Sequence, residues 1–417
     1  MDKLRIHGGA RLRGSVRVGG AKNAALPALA ATLLTDEPVV LRNLPRVRDV
    51  RTMLRVLEQL GATTADVGNG AARVTFERIG SFEAPYDLVK TMRASILALG
   101  PLLARHGRAR VSLPGGCAIG ERPVNYHIEG LREMGAEVRV THGYVEARAE
   151  TLRGAEITFP RKTVTGTENL LMAAVLARGT TVLHNCAKEP EVIDLIELLV
   201  RMGASIEGAG NDRIVVEGRE RLNGAEHTVI PDRIEAGTYL VAGALAADDL
   251  EILACRPEQM AAVVRQLGAV GVPIEIGADR LRVQAPETLQ PRDVRTATYP
   301  GFPTDMQAQY MALASQAHGS SLVTETIFEH RFLHVGELQR MGADVRIQGS
   351  SSVVLGPARL SGAQVMATDL RASACLVLAA LVADGVTVID RIYHLDRGYE
   401  AMEQKLAALG AAVERVR

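Results

Sequence analysis

A Gly-Ala dipeptide closes an amphipathic run six times in this chain of 417 residues, at Gly61, Gly135, Gly203, Gly268, Gly342 and Gly410. Each glycine follows Leu or Met. A glycine just past the last apolar position of a helical pattern predicts the left-handed residue that ends a helix. Positions 61 and 268, 135 and 342, and 203 and 410 are each 207 residues apart. Three equal offsets among six caps imply two similar halves of three units each. The caps stand 65 to 74 residues apart, longer than the roughly 20–50 residues of solenoid repeats. A closed α/β architecture of two domains is therefore expected in place of an open superhelix.

Each unit holds a second helical run, beginning near Asn23, Arg93, Glu168, Glu235, Asp305 and Arg371. Ala24–Leu34 and Ala372–Ala383 are apolar on nearly every face, and helices of that kind are buried. The expected domains thus carry helices at the centre, wrapped by amphipathic helices and sheets. A Leu-x-Gly signal opens several units, at Leu12, Leu152, Leu222 and Leu360. The segment before Lys22 is left to complete the second half. This predicts a discontinuous domain of residues 1–21 with 230–417, and an inserted domain of 22–229 that carries the loop around Cys117. A cleft between two such domains is the default place for a ligand.

Hydrophobic residues make up 47% of the chain but aromatics only 3%, with no Trp. The cores must be aliphatic, and base-stacking platforms for nucleic acid are not expected. Lys+Arg and Asp+Glu are both 48, so no polyanion partner is implied. Cys117, Cys186, Cys255 and Cys375 show no metal-ligand spacing. They point to a reduced, cytoplasmic protein. The first residues lack the apolar core of a signal peptide, and no apolar run is long enough to span a membrane.

Candidate chemistry concentrates in charged residues near glycines and helix starts. Pro114-Gly115-Gly116-Cys117 forms a loop that regular structure cannot hold, and Arg122 nearby would favour a thiolate or grip an anion. An incidental cysteine in a surface turn explains the composition equally well. Lys22-Asn23 follows Gly19-Gly20 at a helix start, where a ligand anion is better placed than a lysine. Arg93 and Arg371 both open an Arg-Ala-Ser start to a buried helix and read as twins. Either could instead snorkel to a nearby acid. Asp305 is a candidate general base or a plain helix cap. Arg331 and Arg397, borne on turns, are each as readily a surface ion pair. Together Lys22, Arg122, Arg331, Arg371 and Arg397 could surround a small anion carrying a carboxylate and a phosphate. Walker and dinucleotide motifs are absent from the sequence.

The loop Pro114-Gly115-Gly116-Cys117, with Gly120 and Arg122-Pro123-Val124, resembles the active-site loop of the UDP-N-acetylglucosamine 1-carboxyvinyltransferases, a family of enolpyruvyl transferases. Gly20-Ala21-Lys22-Asn23, Pro303-Thr304-Asp305-Met306-Gln307, Thr324 to Glu329 and Asp396-Arg397-Gly398-Tyr399 extend the resemblance over essentially the whole chain. It implies two inside-out α/β barrels and transfer of an enolpyruvyl group from phosphoenolpyruvate to the 3-hydroxyl of UDP-N-acetylglucosamine. Neither a metal nor an organic cofactor is implied. By resemblance, Lys22, Arg122 and Arg397 hold phosphoenolpyruvate, with Arg331 and Arg371 nearby. Asn23, Arg93, Arg122, Pro123, Val124, Asn125, Tyr126, Lys162, Thr163, Val164, Thr165, Asp305 and Ile327 hold the UDP-sugar. Cys117 looks like the acid that protonates the methylene carbon, and Asp305 like the base. A cysteine at 117 also implies sensitivity to fosfomycin-type epoxides. The family usually has Asp-Leu where Asn125-Tyr126 stands. Two alternatives remain: a shikimate 3-phosphate enolpyruvyl transferase, which does not use the Cys loop, and a non-catalytic UDP-sugar sensor.

Overall fold

The computed structural model describes residues 2–9, 11–90, 92–113 and 124–417. They divide into two compact units, one of residues up to 19 with Pro231–Arg417, the other of residues 20–113 and 124–230. Each unit holds three sheets of four strands among the described residues. One plan recurs. In one sheet Thr180–His184 is flanked by Glu156–Thr158, parallel, and Arg213–Glu217, antiparallel, with Ser205–Glu207 outermost. The first strand of the chain, Lys3–His7, lies between Val386–Asp390 and Ala412–Val416. Leu12–Arg17 runs parallel to Ala247–Leu253. The start of the polypeptide therefore completes sheets built from its end.

Inside the sheets lie the apolar helices. Lys22–Ala31, Leu99–His106 and Val164–Ala174 belong to one unit. Arg233–Ala246, Gln307–Ala314 and Leu370–Val382 belong to the other, where they pack on one another. In Leu370–Val382, residues 371 to 381 are all buried. Such encirclement is the reverse of an ordinary barrel, with helices within and strands without. The close approach depends on small residues. A Cβ on Gly100 would stand 2.4 Å from the Asn169 carbonyl oxygen. Truncating a fully buried leucine such as Leu376 is expected to cost about 2–5 kcal/mol. Amphipathic helices flank the sheets: Arg48–Leu60 buries Val50, Met53, Val56, Leu57 and Leu60.

Five of the six Gly-Ala glycines adopt the left-handed conformation, with φ between 90° and 111°. Gly268 does not. Its helix, Ala261–Ala269, runs on through it, and the left-handed residue is Gly271 with φ 99°. There Gly271 N donates to the Gly268 oxygen and Val272 N to the Leu267 oxygen. Gly61 and Ala62 make the same pair of bonds to Glu58 and Leu57. The true partner of Gly61 is thus Gly271, and the equal offset at that pair was a coincidence of composition. Arg93 and Arg371 are not repeat partners either. Arg93 opens the 3-10 segment Arg93–Ala98 before the second buried helix of its half, whereas Arg371 lies in the third of the other. No helix among the described residues is long and apolar enough to cross a membrane.

Candidate active site

The 3-10 turn Thr304–Met306 precedes the helix Gln307–Ala314 and carries Asp305. Its carboxylate does not cap the helix. Oδ1 accepts from Arg331 Nη2 at 2.7 Å and Oδ2 from Arg371 Nη2 at 3.0 Å. The two arginine side chains are 5% and 3% exposed, while that of Asp305 is 25% exposed. Burial would raise the Asp305 pKa. The charges of Arg371 and Arg331 and their hydrogen bonds outweigh it and hold the carboxyl well below its usual range. Arg331 Nη1 also donates to Thr304 Oγ1 at 2.8 Å. Arg371 Nε and Nη1 are buried and find no hydrogen-bond partner among the described residues. A cation with idle donors is costly to bury unless an anion completes it.

The same unit holds Ile327, whose backbone N donates to Glu325 Oε1 at 2.7 Å. It also holds Arg397, at the end of the turn Leu395–Arg397. Asp396 beside it takes two bonds from Arg415, at 2.6 and 3.1 Å, which pin the turn to the last strand.

In the other unit Lys22 is the first residue of a buried helix, and its Nζ lies 3.3 Å from Asp49 Oδ2. Both side chains are nearly buried, at 11% and 4% exposure. Asn23 is exposed. Asn125 and Tyr126 open the helix Asn125–Glu133, with Val124 as its N-cap residue. Val124 and Tyr126 pack on the core, and Asn125 Oδ1 is buried without a partner among the described residues. His127 is buried in the same helix. Asn169 Nδ2 donates to its Nδ1 at 2.8 Å, and its Nε2 lies 3.4 Å from Thr165 Oγ1. Burial, then the charge of Arg93, pushes its pKa down to about 4. The imidazole is neutral and links the helix of Asn125-Tyr126 to Thr165 and Asn169, within the field of Arg93. Thr163 caps the helix Val164–Ala174 by accepting from Gly166 N at 3.2 Å. Lys162 bonds the Cys186 carbonyl at 3.0 Å and pairs with Asp212.

Cys117, Arg122 and Pro123 lie outside the described residues. The other three cysteines are buried, and burial pushes the Cys186 and Cys255 thiols up to about 11. Such thiols stay protonated.

A model of the family described as EPSP synthase (3-phosphoshikimate 1-carboxyvinyltransferase) matches residues 6–406. A UDP-N-acetylglucosamine 1-carboxyvinyltransferase of Solibacter usitatus (strain Ellin6076) is 59% identical over 418 residues, covering 100% of both chains. One from Koribacter versatilis (strain Ellin345) is 57% identical over 420 residues, covering 100% of this chain and 97% of its own. The chain belongs to the UDP-N-acetylglucosamine 1-carboxyvinyltransferase family. Among solved structures, the enolpyruvyl transferase NikO from Streptomyces tendae matches with a TM-score of 0.90 at 29% identity, covering 100% of this chain and 99% of its own. EPSP synthase from Acinetobacter baumannii matches at 0.77 and 17% identity over 100% of both chains, which shows the shared fold. The fold is that of the enolpyruvyl transferases, two inside-out α/β barrels.

Within this carboxyvinyltransferase frame, residues singled out separately in the sequence come together. Asp305, Arg331 and Arg371 form one cluster. Thr304 and Glu325 join it, although neither was assigned a role from the sequence. Both stand in the motifs that carry the family resemblance, but nothing in their spacing pointed to the link between them. Asp49 and Asn169 carried no signal either, because their partners are distant in the chain.

Proposed function

We propose that the chain transfers the enolpyruvyl group of phosphoenolpyruvate to the 3-hydroxyl of UDP-N-acetylglucosamine and releases phosphate. The observation that carries this reading is the Asp305 carboxylate held between two buried guanidinium groups, one with idle donors. Such a cluster offers a base beside a receptor for a carboxylate. The acceptor follows from the similarity to UDP-N-acetylglucosamine 1-carboxyvinyltransferases. In this reading Cys117 gives a proton to the methylene carbon of phosphoenolpyruvate. The sugar oxygen attacks the adjacent carbon, and Asp305 takes the hydroxyl proton. A tetrahedral ketal results. Loss of a methyl proton and cleavage of the carbon–oxygen bond to phosphate then give the enol ether.

Arg331 and Arg371 take the carboxylate of phosphoenolpyruvate. Lys22, Arg122 and Arg397 take its phosphate and stabilise it as it leaves. Asn23, Arg93, residues 122–126 and 162–165, and Ile327 take the UDP-sugar. The chemistry resides in the substrates and side chains and calls for no cofactor. The product serves peptidoglycan precursor synthesis in the cytoplasm, and Cys117 makes the enzyme a fosfomycin target.

The second reading, a shikimate 3-phosphate acceptor, is favoured by the match to the EPSP synthase family. Phosphate release from phosphoenolpyruvate separates the two. Release with UDP-N-acetylglucosamine alone is expected, abolished by Cys117→Ser. Release with shikimate 3-phosphate would overturn the assignment. Tight UDP-sugar binding without release would support a sensor.

A further inference from the structure

Glu325 follows the strand Gly319–Thr324 and is only 3% exposed. A carboxylate so deeply buried needs its acceptors filled. They are filled from two directions. Oε1 accepts from Thr296 Oγ1 at 2.8 Å, from Ile327 N at 2.7 Å and from Phe328 N at 3.2 Å. Oε2 accepts from Thr304 Oγ1 at 2.8 Å. Its own backbone N is tied to the Ser350 oxygen at 2.8 Å. The hub is therefore rigid.

The Thr304 bond has a direction. The hydroxyl has one proton, and it goes to Glu325. A lone pair is left facing Arg331, whose Nη1 lies 2.8 Å away. The other terminal nitrogen of that guanidinium reaches Asp305 Oδ1 at 2.7 Å. A continuous chain of hydrogen bonds runs from the Ile327 and Phe328 amides through Glu325, Thr304 and Arg331 to Asp305. A hydroxyl pointing the other way would present its proton to Arg331 and repel it.

We propose that Glu325 is a positioning residue, whose carboxylate sets the polarity of Thr304 and locks the Asp305–Arg331 pair in register with the Ile327–Phe328 backbone. The proposal rests on the reading of Asp305 as the base. It goes further by naming the residue that aims that base.

Glu325→Gln tests it with little change of shape. The three donors at Oε1 keep the amide oxygen there, so the new NH2 group faces Thr304. The hydroxyl must then accept from both sides, and its proton loses its partner. The Ile327 side is preserved. The expected result is a fall in kcat of about tenfold, the scale of a modest misplacement of a catalytic group. KM for the UDP-sugar should stay within about twofold. The acidic limb of kcat/KM should move to higher pH, because a loosened Arg331 stabilises the Asp305 carboxylate less.

Thr304→Val breaks the same link from the other end. It should reproduce both changes, and the double variant should be no worse than either single one. An unshifted pH profile in Glu325→Gln, or multiplying losses in the double variant, would overturn the proposal. Asp305→Asn is the control. If it keeps full turnover, the reading of the base is wrong. If it is inactive while Glu325→Gln and Thr304→Val behave as wild type, only the positioning role falls.

Discussion

In the unit of residues 231–417, two of the three buried helices begin under aspartate caps. The Asp232 carboxylate accepts from Ile234 N at 2.8 Å and Glu235 N at 3.1 Å. Asp369 accepts from Arg371 N at 2.8 Å and Ala372 N at 3.0 Å. In the unit of residues 20–230 the pattern is different. Lys22–Ala31 has no side-chain cap, and neither does the 3-10 segment Arg93–Ala98. Its third buried helix uses the neutral Thr163 hydroxyl. One fold, repeated, thus caps two buried helices with carboxylates in one copy, each followed by an arginine, Arg233 or Arg371, and leaves Lys22 and Arg93 at starts without a side-chain cap in the other. Backbone N–H groups at a helix start attract anions, and a cation beside them adds to the field. The difference separates two kinds of site: one copy holds the Asp305 carboxylate between Arg331 and Arg371, and the other leaves Lys22 and Arg93 at starts without a side-chain cap.

The largest effect should come from removing the central charge of the first copy. Asp305→Asn keeps the shape but leaves Arg331 and Arg371 buried without a counter-charge. Turnover should fall by about 10²–10⁴-fold. Stability should fall by about 3 kcal/mol, as when a buried pair loses one partner. Steady-state kinetics and chemical denaturation measure the two. Asp49→Asn, the corresponding cut beside Lys22, should act mainly on KM for phosphoenolpyruvate. Equal losses of kcat in both variants would erase the distinction between the copies.

Much of the architecture was legible because it is written locally. Caps, apolar helices and strand-like runs each depend on neighbours within one turn or one strand. Gly268 shows the limit. A Gly-Ala pair followed by Val-Gly offers two stops, and packing selected Gly271. Asp305 read more naturally as a cap than as the centre of an ion cluster, because Arg331 and Arg371 lie 26 and 66 residues away. Glu325 was invisible as a hub for the same reason. Its amide donors at Ile327 and Phe328 are local, but Thr296 and Thr304 are brought to it by the fold, which residue spacing does not encode.

Two histidines sharpen the comparison at the next level. His127 and His334 stand eight residues before Gly135 and Gly342, at equivalent places in the two copies. Both are buried, and burial pushes each down to about 4. Their partners differ: an amide for His127, and the Met311 sulfur at 3.2 Å for His334. A histidine whose folded pKa lies below its unfolded value near 6.5 binds its proton more readily in the unfolded chain. Stability is then full above about pH 6.5 and is lost as pH falls, until the folded pKa near 4 is passed. Each histidine accounts for up to about 3 kcal/mol. Asp305 acts in a lower window, since its carboxyl stays ionised well below pH 3.8. Denaturation between pH 6.5 and 4 should therefore flatten in His127→Gln and in His334→Gln. His127→Gln should show the larger change, because protonated Nδ1 would face the Asn169 donor. Unchanged slopes would mean that neither imidazole is held neutral.

The smallest effect tests the caps themselves. Removing an N-cap costs about 1 kcal/mol, and an ionised cap gains further from the helix dipole. Asp232→Ala should speed hydrogen exchange at the Ile234 and Glu235 amides about fivefold if those amides exchange by local opening. Thr163→Ala exposes one amide, that of Gly166, whose bond to the hydroxyl is longer at 3.2 Å and uncharged. A change of about threefold or less is expected there. If the two caps prove equal, the helix starts of the two copies differ in residue type but not in field. The division between a copy with carboxylate caps and a copy without them would then rest on Lys22 and Arg93 alone.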